Sequence, residues 1–268
     1  MICGFCLAII MGLVLGFIGS GGSMLTVPIL VYLFGLKPFV ATGYSLLVVG
    51  STAAVGTFSY WRRGLIRARD TFVFVLPSTL MILLTRRFIV PNLPDPLMQI
   101  NGFALSKGAF IMLLFACLML LAGWLMLKPV QIKKAGDAIY NPGAHPIKLV
   151  LGSGMVGLLS GLVGAGGGFL IIPVLITWFN LSMKEAIGTS LAVIMVNSLM
   201  GFQGDLLAGI YIDWSMLGPF LGLAILGMFF GIRFNQHVDG PALKRVFGWF
   251  MLVLAASILL AEGFSLLH

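Results

Sequence analysis

Apolar runs long enough to cross a bilayer alternate with short polar or basic stretches along nearly the whole chain, and two of these runs are interrupted by glycine. Residues 5–35 are apolar apart from a glycine-rich break, which splits them into pieces of about fifteen and thirteen residues. At about 1.5 Å of rise per residue, neither piece comfortably spans a hydrocarbon core of about 30 Å. Lys37-Pro38 closes that element. A full-length apolar segment follows at 39–60 and ends in Tyr60-Trp61-Arg62-Arg63, an aromatic and basic interfacial anchor. Further spans are predicted at 70–85 and 106–127. Between them Arg86 to Lys107, with Pro91, Pro94 and Pro96, reads as an ordered loop. Beyond a lysine- and proline-bearing stretch at 128–148, the plan returns: a glycine-broken element at 149–179, then spans at 184–204, 214–232 and 243–262.

The return is a duplication. Shifting the chain by 145 positions lays Gly16, Gly19, Gly21, Gly22 and Pro28 on Gly161, Gly164, Gly166, Gly167 and Pro173. The register holds without a gap from 12–46 onto 157–191, with 15 identities in 35 pairs. Such self-similarity marks an internal repeat. The predicted organisation is a first membrane repeat at 1–127, a basic linker at 128–148 and a second membrane repeat at 149–268. Residues 1–19 lack the basic start and small-residue cleavage site of a signal peptide, and are read as the counterpart of 149–164.

Composition agrees with the pattern. The chain is 60% hydrophobic and 9% charged, with a mean hydropathy of +1.11, so the predicted fold class is an all-α polytopic membrane protein. The net charge of +8 does not point to nucleic acid, because the basic residues lie between apolar runs rather than along one helix face. Cys3 and Cys6 have the spacing of a redox or metal pair. With Cys117 the only other cysteine and His145, His237 and His268 all near segment ends, no metal cluster or cofactor site assembles.

Loop charge orients the halves. Loop 61–69 holds Arg62, Arg63, Arg67 and Arg69, whereas its counterpart 205–213 holds Asp205 and Asp213 and no basic residue. The positive-inside rule places the first in the cytoplasm and the second outside, which predicts inverted repeats, a common transporter architecture. The linker, with Lys128, Lys133, Lys134 and Lys148 against Asp137, counts as cytoplasmic. Loop 86–107 opposes this orientation, because it would be external yet carries Arg86, Arg87 and Lys107 against Asp95. On the inverted plan each broken element starts and finishes on one side, as a re-entrant hairpin or as two short spans.

Each glycine break is expected to unwind the helix, since glycine costs about 1 kcal/mol per residue relative to alanine. Unwound backbone at membrane depth is tolerated where it lines a protected cavity. Freed N–H groups and the positive end of a helix dipole attract anions there. The predicted anion site therefore comprises Ser20, Gly21, Gly22 and Ser23 in one break and Ala165, Gly166, Gly167 and Gly168 in the other. Hydroxyls early in the next spans, Ser45, Thr189 and Ser190, add to it, as does Asn197, two turns beyond Ser190 on the same face. Ser51, Thr52, Gln203 and Tyr60 are weaker candidates. Close helix packing through small residues is the competing reading of the glycines. No charged residue is expected at the centre of a span. Asp205 comes closest, as an interfacial residue or as the acceptor of a coupling proton.

The paired segments Gly19-Ser20-Gly21-Gly22-Ser23 and Gly164-Ala165-Gly166-Gly167-Gly168, each followed by Pro28 or Pro173 and, in the second half, by Gly188-Thr189-Ser190-Leu191, resemble the TauE/SafE family of sulfite exporters. The resemblance covers almost the whole chain. It implies a multi-pass protein of the bacterial inner membrane that moves sulfite, sulfonates or related sulfur-containing anions. Ser23 and Tyr44 depart from the pattern of the second half, where Gly168 and Thr189 stand. The expected function is a secondary transporter of small anions, with an anion channel using the same helix ends as the alternative. An intramembrane enzyme is disfavoured, because no histidine lies within a span to serve as base to Ser20 or Ser160. The expected partners are a small anion and the lipid bilayer.

Overall fold

The computed structural model describes residues 2–94, 98–100, 103–128, 146–163, 168–179, 181–207, 209 and 212–267. The first half contains α1 (Ile2–Ile18) and α2 (Gly21–Pro28), the latter extended by a π-helical turn at Ile29–Leu33, then α3 (Pro38–Trp61) and α4 (Ala68–Leu84). A second π-helical turn, Thr85–Ile89, joins α4 to the short α5 (Val90–Asn92), giving one rod over Ala68–Asn92. A small antiparallel hairpin, β1 (Met98–Ile100) and β2 (Phe103–Leu105), pairs Met98 with Leu105 and precedes α6 (Lys107–Leu127). The second half contains α7 (Pro146–Val163), α8 (Gly168–Thr177), α9 (Met183–Leu207), α10 (Trp214–Asn235) and α11 (Gly240–Leu267). Among the described residues, six helices are long and apolar enough to cross a membrane: Pro38–Trp61, Ala68–Asn92, Lys107–Leu127, Met183–Leu207, Trp214–Asn235 and Gly240–Gly263. Large apolar side chains such as Phe58, Leu76, Phe229, Trp249 and Val253 are exposed on their outer faces. Apart from the β1–β2 hairpin the described residues build a helical fold, and the chain is a multi-pass membrane protein.

Two boundaries correct the sequence reading. Arg86 does not begin a loop. Nothing breaks the helix until Pro94 forces Leu93 into an extended ψ of 121°, so Thr85 to Asn92 stay wound. Asp205 likewise lies inside α9, not in the loop that follows it. The breaks themselves are shorter than expected in the first half. Only Gly19, at a φ of 87°, and Ser20 leave the helix. Gly21, Gly22 and Ser23 form the first turn of α2, where the Ser23 amide already donates to the Ser20 carbonyl at 3.2 Å. Residues 164–167 of the second break lie outside the described residues.

Local chemistry fixes several helix starts. Ser182 and Glu185 form a capping box on α9: the Ser182 amide and hydroxyl donate to Glu185 Oε2 at 3.1 and 2.8 Å, and the Glu185 amide donates to Ser182 Oγ at 3.4 Å. Asp213 caps α10, accepting from the amide and hydroxyl of Ser215 at 3.0 and 2.6 Å. The hydroxyl bond to Ser215 holds this exposed carboxyl below the usual carboxylate range. Ser106 accepts from the Ala109 amide at the start of α6.

The two broken elements are helical hairpins. Gly22 at the start of α2 packs on Met11 and Leu15 of α1, while Gly4 and Phe5 meet Phe34 at the open end, so α1 and α2 run antiparallel. In the second hairpin, Gly152 near the start of α7 meets Trp178 just past α8. Each hairpin grips a helix of the other half through glycine. A Cβ on Gly12, Gly16, Gly227 or Gly231 would strike backbone across the α1–α10 seam, and one on Gly157 would strike Ser78 across α4–α7. These glycines allow close backbone approach, so the packing reading holds for them.

Tyr60 meets Gly188, Gly56 meets Leu191, Gly50 meets Ser198 and Leu46 meets Gly201, so α3 and α9 cross the centre antiparallel. The main contacts are those that a two-fold exchange of the halves requires: α1 on α10 and α4 on α7, α3 on α10 and α4 on α9, with α2 on α8 and α6 on α11.

Candidate anion site between two helical hairpins

The start of α8 meets the break between α1 and α2 inside the protein. A Cβ on Gly168, the first residue of α8, would lie 2.9 Å from Ser20 Cβ and 2.6 Å from Ile194 Cδ1, and Gly19 packs on Ile187. Ser20 is fully buried, and its hydroxyl has no partner among the described residues. Ser23 is also fully buried, but its hydroxyl donates to the Ser20 carbonyl at 2.6 Å and its amide to the same oxygen at 3.2 Å. Thr26 donates back to Gly22 at 3.0 Å. Two start-of-helix backbones and the Ser20 hydroxyl thus converge where the halves cross.

The other predicted residues divide by whether their polar atoms are engaged. Ser45 is buried, and its hydroxyl has no partner among the described residues. Ser190 donates to the Ile187 carbonyl at 2.9 Å, the local bond that hydroxyls in helices commonly make. Thr189 Oγ1 accepts from the Arg67 amide at 3.2 Å, which ties the end of the α3–α4 loop to the start of α9. Asn197 bridges helices: its Oδ1 accepts from Thr79 at 2.6 Å and from Ser78 at 3.2 Å, and its Nδ2 donates to Ser78 at 3.0 Å. Gly22 faces α1, against the Met11 carbonyl, and so serves packing inside the first hairpin. Ala165, Gly166 and Gly167 lie outside the described residues. Among the weaker candidates, Thr52 is bonded to Val48 and Val49, whereas Tyr60 is buried with a free hydroxyl.

Sequence reasoning missed the strongest electrostatic feature. Asp205, two residues from the end of α9, is buried inside the bundle and faces a buried arginine. Arg86 is buried, and its Nη1 donates to Asp205 Oδ2 and Oδ1 at 3.0 and 3.3 Å and to Thr42 Oγ1 at 3.2 Å. A polar seam runs between α4 and α9, with Ser78 on Asn197, Ile82 on Gly201 and Arg86 on Asp205. The two matched four-residue steps put these side chains on facing stripes. That spacing was the available signal, but it is visible only once Arg86 is counted as helical. The hydroxyls of Thr85, Ser160 and Ser198 are also buried without partners among the described residues.

The opposite end of the protein carries a different pair. Arg67 meets Glu185 at 3.2 Å, half exposed, and such a surface pair contributes little to stability. Tyr60, 145 positions before Asp205, occupies the equivalent place in the first half. Gly231 stands 145 positions after Arg86, so the buried ion pair, which joins the two halves, has no counterpart under the repeat. Among the described residues, no group of three histidine, cysteine, aspartate or glutamate side chains could hold a metal ion.

Comparison with known proteins agrees with this architecture. The model of the family described as sulfite exporter TauE/SafE matches residues 4–258. A "Probable membrane transporter protein" of Xylella fastidiosa is 28% identical, the match covering 96% of this chain and 94% of that one. The "Probable membrane transporter protein YunE" of Bacillus subtilis is 25% identical over 97% of this chain and 98% of its own. One from Haemophilus influenzae with the same printed name as the first is 27% identical over 93% and 94%. No solved structure matches the chain.

Proposed function

Because this chain belongs to the sulfite exporter TauE/SafE family, a family of membrane transporters and not of enzymes, we propose that it is a secondary transporter of a small anion. The anion is sulfite, a sulfonate or a related sulfur-containing species, moved across the bacterial inner membrane by alternating access. The observation that carries this reading is the meeting of the two hairpin tips, Ser20 against Gly168, at the crossing of two equivalent halves. Transporters built from paired repeats bind substrate where their broken helices meet, and helix starts favour negative charge. Two matched hairpins that open at opposite ends of the bundle also supply the two elements that alternate exposure requires, which favours a carrier over a static pore.

The halves are inverted repeats in this reading. The antiparallel course of α3 and α9, which correspond at the 145-residue offset, supports it. The loop that carries Arg62, Arg63 and Arg67 meets the start of α9 through Glu185. The start of α3 meets the loop after α9 through Tyr44, whose hydroxyl accepts from the Asp213 amide at 2.8 Å. The charge count that opposed this orientation also eases. Arg86 is internal, Arg87 and Lys107 are helical, and the connection over residues 93–106 carries only Asp95. The arginine-rich end therefore faces the cytoplasm. Single cysteines at Arg63 and at Gly209, in a background without the native cysteines, are expected to label from opposite sides of the membrane. Labelling of both from one side would end the inverted-repeat reading.

The function is tested by purified protein against sulfite, sulfate, thiosulfate, taurine and acetate. A bound anion raises the melting temperature, because it binds the native state only. We expect sulfite or taurine to give the largest shift and to move across proteoliposomes at carrier rates, saturating with concentration. Flux at channel conductance, or no shift with any of the five anions, would overturn the proposal.

A further inference from the structure

We propose that Arg86 binds the transported oxyanion directly, through the Nε and Nη2 edge of its guanidinium that Asp205 leaves free. The inference rests on the reading of this chain as an anion carrier and names the group that recognises the charge.

The Arg86 side chain is 0% exposed. Its bonds to Asp205 and Thr42 all use Nη1, and neither Nε nor Nη2 has a partner among the described residues. Buried polar groups in native proteins are almost always satisfied, and guanidinium nitrogens more so than most. The free groups are not scattered. In a planar guanidinium, Nε–H and one Nη2–H point the same way, forming the side-on fork that grips two oxygens of one acid group. Thr85, the preceding residue, has a buried hydroxyl without a partner and packs against Gly161. Ser160, the neighbour of Gly161, has another. The Ala68–Asn92 rod thus carries a two-donor fork on its α9 side and, with α7, two hydroxyls on the adjoining side, all buried and without partners among the described residues. Such a set calls for a ligand that is an acceptor only and has several oxygens.

Sulfite, sulfonates and carboxylates meet that description, whereas a halide offers one centre and cannot use the fork. Asp205 has a complementary part. It holds the guanidinium by the other nitrogen and offsets its charge, so that an unloaded carrier does not hold a lone cation in its interior. A purely structural ion pair would have no use for the uncovered edge.

The test measures affinities for sulfite and for bromide on full-length protein in nanodiscs, normalised to folded, monodisperse material. Three variants are compared with wild type. Arg86→Gln combined with Asp205→Asn removes both charges together, and sulfite affinity should fall by about 30-fold or more, as expected for loss of a buried charged contact. Arg86→Lys keeps the charge but not the fork, so the preference for sulfite over bromide should fall by about 10-fold. Ser160→Ala removes one small hydroxyl that the fold does not use, and sulfite affinity should drop several-fold. Wild-type affinity and selectivity in Arg86→Lys, or unchanged sulfite affinity in either of the other two, would overturn this assignment and leave the carrier reading standing. Wild-type protein that bound none of the anions would overturn the carrier reading itself, and this assignment with it.

Discussion

Arg86→Gln alone should lower the free energy of unfolding by about 3–5 kcal/mol, while Arg86→Gln with Asp205→Asn should recover most of that loss. The asymmetry follows from burial: Asp205 is 2% exposed and its only ionic partner among the described residues is Arg86. Removing the arginine leaves a carboxylate that water cannot reach and that no cation offsets. Replacing both removes the desolvation cost together with the attraction, and glutamine and asparagine can still share a hydrogen bond across α4 and α9. Asp205→Asn alone should be destabilising as well, because it leaves the guanidinium uncompensated. The measurement is a double-mutant cycle on thermal or denaturant unfolding in one detergent. Additive losses, with the double variant as unstable as the two singles summed, would show that the pair does not act as a unit. This stability cycle is independent of ligand. It separates what the ion pair does for the fold from what the uncovered guanidinium edge does for the anion.

Much of the architecture was legible because it is written in long-period features. The 145-residue repeat, the six spans and the two glycine breaks depend on runs of ten or more residues, and local exceptions do not erase them. The site was less legible. A charged residue at the margin of an apolar run reads as a loop, since hydropathy cannot distinguish a side chain facing water from one facing a partner inside the bundle. Arg86 and Asp205 were both misread in this way, Arg86 lying six residues before the helix end at Asn92 and Asp205 two before the end at Leu207. Their meaning resides in a contact 119 positions apart in the chain. The glycines posed the opposite difficulty. All look alike in sequence, yet Gly19 is needed for a positive φ, Gly16 and Gly227 for backbone contact between helices, and Gly168 for the approach of one hairpin tip to the other. Similarly, Ser45 and Ser190 align in the repeat, but one hydroxyl is free and the other is spent on its own helix.

Those differences set opposite expectations for two alanine substitutions that sequence alone treats as equivalent. Gly22→Ala would push a methyl group into the Met11 carbonyl and towards Leu15, within the first hairpin. Backbone cannot yield there without separating α1 from α2, so the variant should express poorly and melt at a lower temperature, while its folded fraction binds sulfite with normal affinity. Gly168→Ala meets Ser20 Cβ at 2.9 Å and Ile194 Cδ1 at 2.6 Å. The Ile194 side chain can rotate away, but Ser20 is part of the hairpin tip and can move only if the tip moves. The fold should therefore survive, the two tips should be held apart, and transport should fall by about 10-fold or more, as small displacements of binding groups commonly cost. Affinity per folded molecule, measured beside flux in proteoliposomes, distinguishes the two cases. If Gly168→Ala lost stability but kept normal affinity and normal flux per folded molecule, its glycine would be a packing residue like Gly22, and the meeting of the tips would not be where the anion is held.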